Sequence, residues 1–293
     1  MTQTQDRTRS SGARTVPHAI GAGLNATARV APGLAGRMSL QLWRRPGRAA
    51  VVRPEERAVH AAARRSVVEH RRGRVVAYAW GDGRHPVLLV HGWAARASRF
   101  ADVVTALVAQ GRSPVAYDAW GHGDTVGSIG TILDHQAVIT ELARRHGDFE
   151  GVVGHSFGVP VSLYAVREGL AADRMVAISG MGDFGYLVDT FCTALGLRPP
   201  IDQQLRRAIE RSYFDGDPGI WERFSVHPAP GRDLLVVHDV GDTVVDRAQA
   251  DLVSAAYGER ATLLETSGLG HARILRDREV VAATVDFLTG RST

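Results

Sequence analysis

The sequence predicts an α/β protein: a mainly parallel central sheet with helices on both faces, a short helical cap and an N-terminal helical arm. Three observations carry that prediction. From residue 74 onward, short apolar runs alternate with longer stretches of helical spacing, the pattern of repeated strand–helix units. Runs such as "HPVLLV" are continuously apolar, as expected of strands buried on both faces. One interval, residues 181–231, breaks the alternation and is too long for a simple connection, so it reads as helices inserted beside the strand ends.

In chain order, the first 16 residues are polar and without periodicity, and are expected to be disordered. "APGLAGRMSLQLWRRP" reads as a helix with Leu34, Met38, Gln41 and Leu42 near one face, stopped by Pro46. It either packs on the main body, the reading taken here, or lies at a lipid surface with Trp43 and its arginines. "RPEERAVHAAARRSVVEH" opens with Pro54 and two acids, good helix-start chemistry. "RVVAYAW" is a strand ending at "GDG", a hairpin-type turn. "HPVLLV", "SPVAYDAW", "FEGVVGHS", "RMVAISG", "RDLLVVHDV" and "ATLLETSG" are further strands. "RFADVVTALVAQG", "TILDHQAVITELARRHG", "FGVPVSLYAVREG", "VVDRAQADLVSAAYG" and "REVVAATVDFLTG" are helices, several with a terminal glycine stop. The expected organisation is a basic arm over residues 1–73 and a main domain over 74–293, with its cap at 181–231.

Composition narrows the function classes. No apolar run approaches the roughly 18 to 20 residues of a membrane span, and no compact apolar stretch follows the early arginines as a secretory signal would require. The single cysteine, Cys192, allows no internal disulfide, and a reducing cytoplasm is the expected compartment. The net charge of +4 is unevenly spread: residues 1–74 hold 15 arginines against 4 acids, residues 75–293 hold 20 against 27. A basic arm of this kind can touch nucleic acid or anionic lipid, but helices packed on the body are the reading taken, and no nucleic-acid partner is expected. No Cys/His cluster has ligand spacing, and neither HExxH nor a GxGxxG followed by a suitable acid is present, so no metal or cofactor is expected.

Residues 151–160, "GVVGHSFGVP", place Ser156 between glycines where a strand turns into a helix. Two readings are open. The hydroxyl caps the helix, or it is a nucleophile held clear of the sheet on a strained turn. The second needs an oxyanion site, an acid and a base. "LLVHGWAA" puts His91, Gly92 and Trp93 after a buried strand; the backbone N–H of Trp93 and that of Phe157 are the candidate oxyanion donors. "VVHDVGDTVV" offers Asp239 and Asp242, with Asp246 beyond. Asp242 follows a glycine in the loop and is the preferred acid. Asp239 sits nearer the strand end and is suited to bracing the turn, and Asp246 to helix-start charge. "TSGLGHARIL" puts His271 in the loop after the last strand, where a proton acceptor is needed. His155 is read as shaping the turn, and His122 as structural. In the inserted interval Phe184, Tyr186, Leu187, Phe191, Leu195 and Trp221 either line an apolar cavity or form a satellite core.

With "HGW", "DAWGHG", "GHSFG", "HDVGDTVV" and "GLGH" in that order, the sequence from about Arg74 to Gly290 resembles the α/β-hydrolase fold serine hydrolases of the esterase, lipase and thioesterase-like branch. The resemblance implies Ser156 as nucleophile, His271 as base, Asp242 as orienting acid, and the N–H groups of Trp93 and Phe157 as the oxyanion site. It implies a small-molecule ester or thioester substrate with an apolar acyl part. Asp124 and Thr125 stand where relatives usually have serine, and the indole of Trp93 stands where they often have a small residue, which narrows the acyl pocket. Two alternatives share the scaffold: acyl transfer on the same triad, and ligand binding without catalysis.

Overall fold

The computed structural model describes residues 9–45 and 49–290, with side chains from residue 19 onward. The strands are β1 (Arg64–His70), β2 (Gly73–Ala79), β3 (Pro86–Val90), β4 (Ser113–Asp118), β5 (Phe149–His155), β6 (Ala172–Ile178), β7 (Asp233–Asp239) and β8 (Ala261–Thr266). The first helices are α1 (Arg9–Val30), α2 (Pro32–Trp43), α3 (Arg57–Ala61), α4 (Ala101–Ala109), α5 (Ile132–His146) and α6 (Gly158–Arg167). They are followed by α7 (Tyr186–Leu195), α8 (Ile201–Tyr213), α9 (Ile220–Arg223), α10 (Arg247–Tyr257), α11 (Gly270–Arg273) and α12 (Arg278–Thr289). The chain divides into two compact units. One joins the N-terminal residues up to 45 with residues 185–223; the other holds residues 46–184 and 224–293.

The larger unit is built on one eight-stranded sheet, in the order β1-β2-β4-β3-β5-β6-β7-β8. β1 and β2 pair antiparallel, as do β2 and β4, and the six strands from β4 to β8 are parallel. Every residue of β3 and β4 is buried, which is why residues 86–90 and 114–117 read as apolar runs without alternation. Val87, Leu89, Val153, Val176 and Val237 form one core cluster with Phe100 and with Leu107 of α4, and with Val280, Val285 and Leu288 of α12. Burying each such side chain contributes about 1.5–3 kcal/mol. α12 lies so close to β5 that a Cβ at Gly151 would stand 2.3 Å from Leu288 Cδ2. α5 is started by a capping box. Thr131 Oγ1 accepts from Asp134 N–H at 3.2 Å, and the Asp134 carboxylate accepts from Thr131 N–H at 2.8 Å.

Two expectations for this unit are corrected. The helix expected from Pro54 ends at Ala61, and "RRSVVEH" is instead β1, joined to β2 by a tight turn at Arg71 and Arg72. The boundary expected at residue 73 would therefore cut a hairpin. "GDG" is not a hairpin turn, because β2 pairs with β1 and β4 and β3 pairs with β4 and β5.

The smaller unit packs α1 and α2 with α7 and α8. Leu24, Ala28, Ala35 and Ile201 form its core, with Leu42 and Leu197 against it. Small residues set the approach: a Cβ at Gly36 would stand 2.6 Å from Gln204 Cβ, and one at Gly21 would meet the Leu195 carbonyl oxygen. Asn25 ties α1 to the end of α7, donating to Gly196 O and accepting from Arg198 N–H, both at 2.9 Å. The stretch expected to be disordered lies outside the described residues up to residue 8; from Arg9 it is helix, although Pro17 supplies no backbone N–H. α2 also differs. Its buried face is Ala35, Gly36, Ser39 and Leu40, while Leu34, Met38 and Gln41 are exposed.

Candidate active site

Gly154 and Gly158 flank Ser156 because no side chain fits at either position. A Cβ at Gly154 would stand 2.7 Å from the Gly158 carbonyl oxygen, and one at Gly158 would stand 2.0 Å from that of Val90. Ser156 itself turns at φ +55, a left-handed conformation that an L residue holds only under strain. Its N–H donates to Ile178 O and its carbonyl accepts from Val159 N–H, both at 3.0 Å, so backbone bonds hold the turn from two sides. The Ser156 hydroxyl makes no hydrogen bond among the described residues: it neither caps α6 nor bonds to His271.

The loop after β3 lies against this turn. A Cβ at Gly92 would stand 2.6 Å from Ser156 Cβ and 3.2 Å from its Oγ. The loop is held by His91, whose Nδ1–H donates to Gly92 O at 2.7 Å while Nε2 accepts from Ala119 N–H at 3.0 Å. The acceptor at Nε2 requires the neutral ring, and burial, with His122 beside it, lowers its pKa to about 4. The Trp93 and Phe157 rings meet edge-on, with centroids 6.3 Å apart. Phe184, after β6, continues this aromatic wall at 6.5 Å from Phe157 and 5.3 Å from Phe224.

Asp242 and His271 are brought together from the loops after β7 and β8, with His271 Nδ1 2.8 Å from Asp242 Oδ2. The Asp242 side chain is fully buried and that of His271 is 18% exposed. The other carboxylate oxygen of Asp242 accepts from Val244 N–H at 2.8 Å and Val245 N–H at 3.1 Å. Burial pushes this carboxyl up, but the His271 bond and the two backbone donors outweigh it and bring it down to about 2. An ionised Asp242 requires the proton of a neutral His271 on Nδ1, which leaves Nε2 as an acceptor.

Asp239 performs a different task. Its Oδ1 accepts from Gly241 N–H at 3.0 Å, and its Oδ2 accepts from Thr266 Oγ1 and Leu269 N–H, each at 2.9 Å. This buried carboxylate thus ties the Asp242 loop to the loop that carries His271. Asp246 caps α10, accepting from Ala248 N–H at 2.8 Å.

His155 is the residue that sequence reasoning undervalued. Its Nε2–H donates to the His271 carbonyl at 2.9 Å across 116 residues of chain, and the two rings lie 4.8 Å apart. Burial, then the neighbouring His271, lowers its pKa to about 3, so it is neutral. The neighbour of Ser156 is therefore what joins the serine turn to the His271 loop. Its only sequence signal is adjacency to the serine.

"DAWGHGD" forms a buried charged turn. Asp118 accepts from Ala97 N–H, Tyr78 Oη and Asp124 N–H, each at 2.8 Å. Arg96 bridges Asp118 at 3.3 Å and Asp124 at 2.9 Å. Asp124 is further paired with Arg65 at 2.8 Å, and Thr125 Oγ1 accepts from Val76 N–H at 2.9 Å, which accounts for both residues at these positions. His122 donates from Nδ1 to Trp120 O at 2.9 Å and lies edge-on to Trp93.

Of the expected cavity residues, Phe184 belongs to the larger unit, whereas Tyr186, Leu187 and Phe191 lie on α7 and Trp221 on α9, in the smaller one. Trp221 is engaged there: its Nε1–H donates to Glu210 at 2.6 Å and the Arg206 guanidinium lies 4.8 Å from the ring centroid.

A family model described as the alpha/beta hydrolase family matches residues 87–284. No curated protein sequence matches the chain. Among solved structures, it is similar to a monoacylglycerol lipase of Paleococcus ferrophilus, at 19% identity and TM-score 0.56 over 74% of this chain and 99% of that one. It is similar to the esterase domain of a Rhodothermus marinus protein, at 18% identity and TM-score 0.55 over 78% and 96%. It is also similar to the 2-hydroxy-6-oxo-6-phenylhexa-2,4-dienoate hydrolase of Rhodococcus sp. strain RHA1, at 16% identity and TM-score 0.56 over 78% and 99%.

Proposed function

The chain belongs to the alpha/beta hydrolase family, and on that premise we propose that it is a serine hydrolase cleaving a carboxylic ester or thioester with an apolar acyl part. His271 Nε2 takes the proton of Ser156 Oγ as that oxygen bonds to the substrate carbonyl carbon. The carbonyl oxygen becomes an oxyanion that accepts from the N–H groups of Trp93 and Phe157. The bond to the leaving group breaks, and His271 returns its proton to the departing oxygen or sulfur. Water then repeats the sequence on the acyl-enzyme and regenerates Ser156. Asp242 holds the Nδ1–H tautomer and stabilises the imidazolium. The bond between Ser156 and His271 closes when substrate enters, as catalytic hydrogen bonds often do.

The observation that carries this reading is the 2.8 Å bond from His271 to an ionised, fully buried Asp242, delivered by His155 to the serine turn. The descriptions of two structural neighbours as a lipase and an esterase domain support the ester class. The aromatic wall of Trp93, Phe157 and Phe184 supports an apolar acyl group. A series of p-nitrophenyl esters and acyl thioesters of increasing chain length tests the proposal. Turnover that rises to an optimum and then falls is expected. No turnover of any member, in folded protein that a fluorophosphonate probe leaves unlabelled, would leave ligand binding as the function.

A further inference from the structure

We propose that the helix pair α1–α2 is a docking surface for anionic lipid bilayers. The observation behind it is a reversal of the face expected to pack. α2 buries small residues against α8 and turns Leu34, Arg37, Met38 and Gln41 outward on one helical face, with Arg45 exposed just beyond its C-terminal end. Leu34 is 44% exposed, Met38 43%, and Val30, at the corner between the helices, 86%. Apolar side chains placed among arginines on an exposed face are what an interfacial helix requires.

Charge selects the occupant. Residues 9–45 contain six arginines and no aspartate or glutamate. Among the described residues, the side chains of Arg29, Arg37, Arg44 and Arg45 form no hydrogen bond or ion pair. Several arginines of the larger unit are engaged instead: Arg96 holds Asp118 and Asp124, Arg99 holds Glu56, Arg145 holds Glu141, and Arg247 holds Glu265. A patch of unpaired cations with no acid in its segment attracts a polyanionic surface. The exposed apolar groups then favour lipid over nucleic acid, because an acyl layer takes Leu34 and Met38 out of water and a phosphate backbone does not. Among the described residues no helix is long and apolar enough to cross a membrane, so the contact is with the bilayer surface.

The test is flotation of the full chain with vesicles of phosphatidylcholine mixed with phosphatidylglycerol, against vesicles of phosphatidylcholine alone, at low and high salt. Binding to the anionic vesicles alone, weakened by salt, is expected. The double variant Arg37→Gln, Arg45→Gln should lower affinity roughly 25-fold, at about fivefold per arginine. Leu34→Ser with Met38→Ser should lower it about tenfold and reduce the binding that survives high salt. These positions are exposed, and unchanged circular dichroism melts show that the variants fold. Three results overturn the proposal. The first is no binding to anionic vesicles. The second is binding to duplex DNA of equal strength, with neither ligand affected by the Leu34 and Met38 changes. The third is self-association in sedimentation that the same changes abolish, which would make the occupant a second copy of the chain.

Discussion

Replacing Asp242 with asparagine is the most informative single perturbation, because the surrounding donors dictate how the amide must sit. One carboxylate oxygen accepts from Val244 and Val245 N–H, and the other faces His271 Nδ1. Asparagine has one acceptor oxygen, and the two backbone donors claim it. Its NH₂ then points at Nδ1, which must become an acceptor, so the ring proton moves to Nε2 and the acceptor for Ser156 is lost. Loss of the working tautomer should cost about 10⁴ in kcat, or about 5 kcal/mol of barrier. The same substitution removes a charge that the fold stabilises. A carboxyl that falls from 3.8 to about 2 on folding contributes about 2 kcal/mol to stability at neutral pH. Because the folded-state value is the lower one, that contribution is complete above the unfolded pKa and is lost as pH falls through the interval down to about 2. Steady-state hydrolysis of a p-nitrophenyl ester, with thermal melts at neutral and acid pH, reads both effects. Asp239→Asn is the comparison. It sets an amide against three donors, so it should lower the melting temperature while reducing kcat by no more than about 10². A mild Asp242→Asn beside a severe Asp239→Asn with an unchanged melt would refute the assignment of the acid.

Four further outcomes follow from the same geometry. Ser156→Gly should abolish turnover yet raise stability by about 1 kcal/mol, since glycine holds φ +55 without strain; a lower urea midpoint would contradict the strained turn. His155→Phe keeps a ring against His271 but removes the donor to its carbonyl, so kcat should fall about tenfold and the melt should drop modestly; unchanged kinetics would remove His155 from any positioning role. Gly92→Ala should reduce kcat about 10² or more, because its Cβ would stand 2.6 Å from Ser156 Cβ; activity within twofold, with p-nitrophenyl acetate, counts against the close approach. Leu89→Ala should destabilise by about 2–5 kcal/mol in chemical denaturation, as expected for a wholly buried β3 side chain between packed helices.

The parallel part of the sheet was legible because a strand buried on both faces writes a continuous apolar run. β1 was not. "RSVVEH" is short and half-polar, follows a good helix start, and declares itself only through pairing with β2. The partner of β2 was equally invisible, since a turn at "GDG" says nothing about whether the chain folds back or crosses the sheet to β3. In α2 the apolar residues drew attention to the wrong face. Helix contact there is set by the absence of side chains at Ala35 and Gly36, which a count of hydrophobic residues passes over. At the candidate site, the loops at strand ends that carry Ser156, Asp242 and His271 were readable, and the structure pairs the last two. The tethers were not: His155 to the His271 carbonyl and Asp239 to Leu269 link residues distant in sequence, and only the fold brings them within bonding range.

The central claim, that Ser156 is the nucleophile, is tested most directly by trapping its acyl form. Acid quenching during the pre-steady-state burst of a slowly deacylated p-nitrophenyl ester, followed by peptide mapping, should find one acyl group per chain on the peptide containing Ser156, and none in Ser156→Ala. An acyl group on another residue, or hydrolysis that persists in Ser156→Ala, would contradict it.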